Sequence, residues 1–519
     1  MKIRLPLFLA LLGLVSCGGS GASISLSSSS AESSFSYGEE SSSIESSSES
    51  TLPQAQRYAL GEQYNYHWLN GRNNSPSLPA SGDVNILVLF IEFTDFPFAQ
   101  DVIDDMKVSL EGSLEETRGF YSLAEYYRAS SFGRVNLDFV YGGTHRTGLT
   151  AEEAYQKYSS QAGSNFIFDA SKKYLQNAPK SEIDSLDSDG DGYIDGVIAY
   201  YSCFDYRFHK IKDIDKTGYF WAYSTVMDAK ALDRRGELAS YPLPSRYIWC
   251  SFDFMYEHRP SRDDIDAHTI IHETGHMFGL DDYYASDSYF NPCGMGTMMD
   301  GNYGDQDCFS KLALGWVEPY VVMEPCEVTL RSSTLTGDCL LLPCSDFNGS
   351  PFDEYLLLEF FTPDGLNRYD SDPKTRDYLG LPKAYGVRLF HIDARLMGSL
   401  RLSYASSGEY VEGSLDDLDW SAYPHYNVAA TNCHKEAYPA DTRFSLIHMI
   451  EAGGNNDFAR GGTFATVDLF AELDYFDYND YMNAFFPNEE FMNNDTSFPW
   501  NFLVQSMDEE SVTISVEAR

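Results

Sequence analysis

His272-Glu273-Thr274-Gly275-His276-Met277-Phe278-Gly279-Leu280-Asp281-Asp282 reads H-E-x-x-H-x-x-G-x-x-D. Residues four apart share one face of a helix, so His272 and His276 project together. Two neutral imidazoles at that spacing suit one Zn²⁺. Glu273, beside the first of them, is placed to act on a water at the metal as a base. Gly279 tolerates the left-handed backbone that ends a helix. The turn after it predicts that Asp282 returns as third ligand, with Asp281 as its rival. A fourth position left to water distinguishes a catalytic zinc from a structural one. The chain has only 11 histidines in 519 residues, so this pairing around a Glu, with Gly and an acid at fixed distances, is a specific signal.

Just upstream, Ser261 and Asp264 form an S-x-x-D capping pattern. Ala267, Ile270, Ile271, Thr274 and Phe278 recur at helical spacing and predict the buried face. His268 lies one turn before His272 and reads as a supporting or rim residue, because the three-ligand set is complete without it.

Downstream come Asn291-Pro292-Cys293-Gly294-Met295-Gly296-Thr297-Met298-Met299-Asp300-Gly301 and Phe309-Ser310-Lys311-Leu312-Ala313-Leu314-Gly315-Trp316. Together with the zinc motif, these resemble the secreted bacterial metallopeptidases of the immune inhibitor A type, which look like metzincins with Asp as third ligand. The resemblance extends to Val84–Phe96 as a first strand, Ser122–Phe139 as a helix and following strand, and Gly386–Asp393 as a later strand. It implies a methionine turn beneath the zinc, at Met299 or its neighbour Met298. From spacing alone, either methionine reads equally well as core filler.

A second metal motif is Asp187-Ser188-Asp189-Gly190-Asp191-Gly192-Tyr193-Ile194-Asp195. Carboxylates at loop positions 1, 3, 5 and 9, with Gly at 6 and the Tyr193 carbonyl at 7, follow the calcium-loop pattern. Position 12 is Ile198, so the bidentate Glu of an EF-hand is missing. Tyr193–Tyr201 is apolar, aromatic and β-branched, which predicts a strand. A structural Ca²⁺ in a loop entering a sheet is the expectation.

Met1–Arg4 is basic and Leu5–Val15 is an apolar run too short for a permanent span. Leu14-Val15-Ser16-Cys17 resembles the lipobox of bacterial lipoproteins, which implies cleavage before Cys17 and its lipidation. A plain signal peptide and free secretion is the alternative. Residues 18–56 are rich in Ser and Glu and poor in apolar groups, as expected of a flexible tether. Eight cysteines besides Cys17 suggest up to four disulfides outside the cell, with a Cys293–Cys308 staple among the options and buried free thiols as the alternative. The net charge of −42 excludes nucleic acid as a partner and leaves the lipid anchor as the membrane attachment.

The expected organisation is a signal peptide (1–17), the tether (18–56), a zincin-like peptidase domain (57–320) and a β-rich C-terminal region (321–519). The class is α+β. The last region alternates apolar and polar residues at Glu327–Leu330, Tyr355–Phe361 and Val512–Val516, which predicts antiparallel strands in a sandwich. The expected activity is zinc-dependent endoproteolysis of protein or peptide substrates. An adhesin on a peptidase fold, or a mucin-directed peptidase, are the competing classes.

Overall fold

The computed structural model describes residues 52–57, 78–158, 163–206, 219–256, 264–285, 291–301, 304–371, 382–397, 427–428, 432, 445–485 and 492–519. Cys17, Ser261, Cys433 and nearly all of the expected tether lie outside them. The architecture is mixed α/β with several sheets.

The first sheet runs β3-β2-β4-β6-β5, from Val135–Arg146, Gly82–Glu92, Gly196–Tyr201, Arg246–Ser251 and Tyr223–Val226. Strands β3, β2, β4 and β6 pair in parallel, and β5 runs antiparallel at one end. Strand β2 reads Val-Asn-Ile-Leu-Val-Leu-Phe-Ile through its middle, the near-continuous apolar run of a strand covered on both faces. Side chains alternate between faces. Ile86, Val88 and Phe90 face the core that holds the helices Leu123–Ser130 and His268–Phe278. Leu87, Leu89 and Ile91 face the core around the helix Ser164–Leu175. The expected first strand is β2. The expected helix and following strand are Leu123–Ser130, capped by the Ser122 side chain on the Glu125 N–H, and β3.

A second sheet runs β1-β7-β9-β10-β11-β14, from Gln56–Arg57, Tyr320–Val321, Cys339–Pro343, Glu354–Phe361, Gly386–Asp393 and Ile447–Ile450. Its pairs are antiparallel except β7–β9. A third, antiparallel sheet runs β15-β16-β17-β8, from Tyr475–Phe476, Trp500–Met507, Ser511–Ala518 and Cys326–Arg331. Strands β12 (Leu396–Met397) and β13 (Asn427–Val428) form a separate pair. Leu340, Leu342, Leu356, Leu358 and Leu389 share a core with Val328, Leu330, Phe502, Ile514 and Val516 of the third sheet. From the opposite face of the second sheet, Leu341, Leu357, Phe390 and Ile447 enter the core beneath the helix His268–Phe278. Pro53–Arg519 is one compact unit, and its largest core draws on residues from both sides of position 320.

The disulfide expectation is corrected. Cys203, Cys250, Cys293, Cys308, Cys326, Cys339 and Cys344 are all buried and none is in a disulfide. Each fills core space as a small apolar group. Cys308 does not reach Cys293; its thiol is hydrogen-bonded to that of Cys339. Among the described residues, no helix is long and apolar enough to cross a membrane.

Candidate metal centre and acidic loop

The site helix spans His268–Phe278. Its buried face carries Ile270, Ile271, Thr274 and Phe278, with Ala267 buried just before it, as the spacing predicts. The capping expectation is corrected: the N-cap is Ala267, with no side-chain cap. Asp266, the residue before the cap, does that work, accepting the His268 N–H at 2.9 Å and the His268 Nδ1 at 2.9 Å. His268 is therefore engaged by Asp266 and stands outside the ligand cluster. At the other end Gly279 has φ 108°, the left-handed cap that sends the chain back toward the helix face.

That reversal brings His272, His276 and Asp282 together. Asp282 Oδ1 lies 3.2 Å from His272 Nε2 and 3.0 Å from His276 Nε2. Each ring is aimed by a backbone carbonyl: Met298 O accepts from His272 Nδ1 at 2.9 Å, and Leu280 O from His276 Nδ1 at 2.9 Å. A proton held at Nδ1 leaves the Nε2 lone pair for a cation. Without a cation, Nε2 must carry a proton to face a carboxylate. Burial pushes the His276 pKa down, but the Asp282 charge and hydrogen bond outweigh it and raise it to about 9. For His272 the same opposition also ends above the ordinary value. Burial works against ionisation of Asp282, yet the two imidazoles hold its carboxyl well below the usual range. Two aimed imidazoles and an ionised carboxylate, all within reach of one point, fit a tetrahedral divalent ion that replaces those protons.

Glu273 is buried on the same helix. Burial raises its pKa, opposed by the two histidines and by a hydrogen bond from the Ser224 N–H of β5. Met299 is fully buried, and its sulfur packs so closely on Gly275 that a Cβ there would lie 2.4 Å from it. Met298 contributes its carbonyl instead. The Ser-Lys-x-x-Leu-Gly-Trp segment supports the same floor: the Ser310 and Tyr283 hydroxyls are 2.9 Å apart, and Trp316 packs on Tyr127 and Phe278. Tyr127 in turn donates to the Ile271 carbonyl of the site helix at 2.7 Å.

The acidic loop brings Asp187, Asp189 and Asp195 within reach of one point. Asp191 is not in that group; its Oδ1 accepts the Tyr193 N–H at 2.8 Å. The loop is folded by its own acids: Asp187 accepts from Gly192 N–H at 3.1 Å, and Asp195 from Ser188 N–H at 3.1 Å. Gly190 and Gly192 sit at φ 75° and 88°. Burial, with the charges of Asp189 and Asp187 added, raises Asp195 to about 7 and Asp191 to about 6. One buried oxygen of Asp187 has no protein partner. Acids that oppose one another's ionisation, around an oxygen left unsatisfied, fit a Ca²⁺. The chain leaves the loop as strand β4, with no helix following it.

Sequence reasoning missed the Met298 and Leu280 carbonyls and the Ser224 N–H, since backbone groups leave no mark in composition. It also missed Tyr284, two residues past Asp282, whose ring lies 6.5 Å from that of His272 and nearly parallel to it. No family model matches the chain, and no curated protein matches it.

Proposed function

We propose that this protein is an exported zinc endopeptidase resembling the immune inhibitor A type, with a metzincin-like catalytic region and a β-sandwich-type C-terminal region. The observation that carries the reading is the convergence of His272 Nε2 and His276 Nε2 on Asp282 Oδ1, with Glu273 buried on the same helix. Bound there, Zn²⁺ supplies Lewis acidity toward a water and a scissile carbonyl. His272, His276 and Asp282 hold it. Glu273 takes the proton of the attacking water and passes it to the leaving amine. Its raised pKa suits a group that must both accept and return a proton. Strand β5 ends its sheet and packs on the site helix, so an extended substrate segment would add along it as a further strand. Met299 is the proposed floor of the site. A structural Ca²⁺ is held by Asp187, Asp189 and Asp195. Cys17 is the proposed lipid attachment that keeps the enzyme at the bacterial surface.

The test is digestion of casein and of a peptide library, with and without chelator. Cleavage that chelator abolishes and zinc restores is expected. Bound zinc without any cleavage would favour the adhesin reading instead.

A further inference from the structure

We propose that Arg388, on strand β11, is a positioning residue for the metal ligand His272. The inference rests on the metal-site reading above. Its starting point is the loop Asn291–Gly301, whose Met298 carbonyl orients the His272 ring. Gly294 and Met295 are both left-handed there, at φ 58° and 60°. A non-glycine residue in that region is strained and persists only where its surroundings over-determine it.

Besides the Asp300 side chain, which accepts the Met295 N–H at 2.6 Å, those surroundings come from the C-terminal region. Pro292 O accepts from Met449 N–H at 2.9 Å, Gly294 O from Phe464 N–H at 2.8 Å, and Asn291 N–H donates to Phe458 O at 2.9 Å. Gly294 and Gly296 lie so close to that wall that a Cβ on either would meet Phe458 or Phe464 at 2.7 Å. Nearest to Met298, Gly296 O accepts from Arg388 Nη1 at 2.7 Å.

Arg388 is 1 % exposed and ion-paired with Glu359 of β10. Its guanidinium lies over the rings of Phe361, Phe390 and Phe464. The other Glu359 oxygen accepts the Cys308 N–H at 2.9 Å. One buried pair thus grips the chain before Met298, at Gly296, and after Met299, at Cys308. Such a pair is weak evidence for net stability; what it supplies is the place of a carbonyl. Arg can serve Glu359 and Gly296 together through its fork of donors, whereas Lys has a single head.

The experiment uses the full chain and two probes, Zn²⁺ affinity by competition with a chromogenic chelator and the visible spectrum of the Co²⁺-loaded protein. Melting is measured in chelator alongside. Wild type and His272→Ala come first: failure of wild type to bind zinc, or equal binding by His272→Ala, would defeat the site reading itself. With that reading intact, Arg388→Lys keeps the charge beside Glu359 and loses the reach to Gly296. It is expected to melt near the wild type, to bind zinc about tenfold more weakly, as for other lost supports of a ligand, and to alter the Co²⁺ band. If it fails to fold, the neutral double variant Glu359→Gln/Arg388→Met carries the same expectation. Zinc affinity within twofold of wild type with an unchanged Co²⁺ spectrum, or loss of fold in both variants, would overturn the proposal.

Discussion

The His272–His276–Asp282 cluster and the Asp187–Asp195 loop each gather three ligand-type side chains around one point, but they stand differently without a cation. In the first, imidazoles and a carboxylate satisfy one another: Asp282 is held ionised and His276 is raised to about 9. In the second every charged group is an acid, and ionisation is opposed until Asp195 titrates near 7. One site is organised by its own opposite charges, and the other is under strain that only a cation or protons relieve. The first is suited to hold chemistry ready, the second to act as a fastener.

The largest expected effect lies at the first site. Glu273→Gln should keep zinc and lower kcat by about a thousandfold or more; near-normal proteolysis would remove Glu273 as the base. Next, Asp282→Ala should weaken zinc by more than the about tenfold to hundredfold that a lost supporting group costs, while Asp281→Ala changes little. Metal analysis of both variants decides between the two acids, and zinc loss confined to Asp281→Ala would reverse the assignment.

Stability against pH separates the two regions by window. In chelator, Asp191 and Asp195 have folded pKa values above their unfolded ones, so they cost stability as pH climbs past about 4, and the cost is complete above about 7. Calcium should therefore raise the melting temperature more at pH 7.5 than at pH 5; equal shifts, or none, would break the contrast. His276 acts in the same direction but over a higher window. Its raised pKa contributes stability that is fully present below about 6.5 and is lost as pH rises through about 9. His276→Ala should flatten that alkaline limb in chelator-treated protein.

The smallest effect concerns the thiols. With none of the seven described cysteines in a disulfide, reducing agent should leave melting unchanged. A rise in melting temperature under oxidant that Cys339→Ser abolishes would show that the neighbouring Cys308 and Cys339 thiols can close.

Much of both sites was legible because it is local. Four-residue spacing on a helix, a glycine where the backbone must turn left-handed, and acids at alternate loop positions are rules acting over about ten residues. They located His272, Glu273, His276, Gly279 and the loop Asp187–Asp195. Strand β11 was anticipated through the family resemblance instead, since its run Gly386–Asp393 mixes Gly, Arg, His and Asp with its apolar residues. The capping pattern at Ser261–Asp264 misled because the helix begins further on, at His268, where Asp266 already serves its first N–H.

Sequence by itself determined the ligand chemistry, because side-chain type and helical period are written residue by residue. Tertiary structure alone decided which of two adjacent acids faces the histidines, which carbonyls aim the rings, and how Arg388 reaches Gly296 across 92 positions. It also decided that the seven described cysteines form no disulfide. Those outcomes depend on backbone groups and on packing between distant segments, whose geometry exists only once the chain has folded.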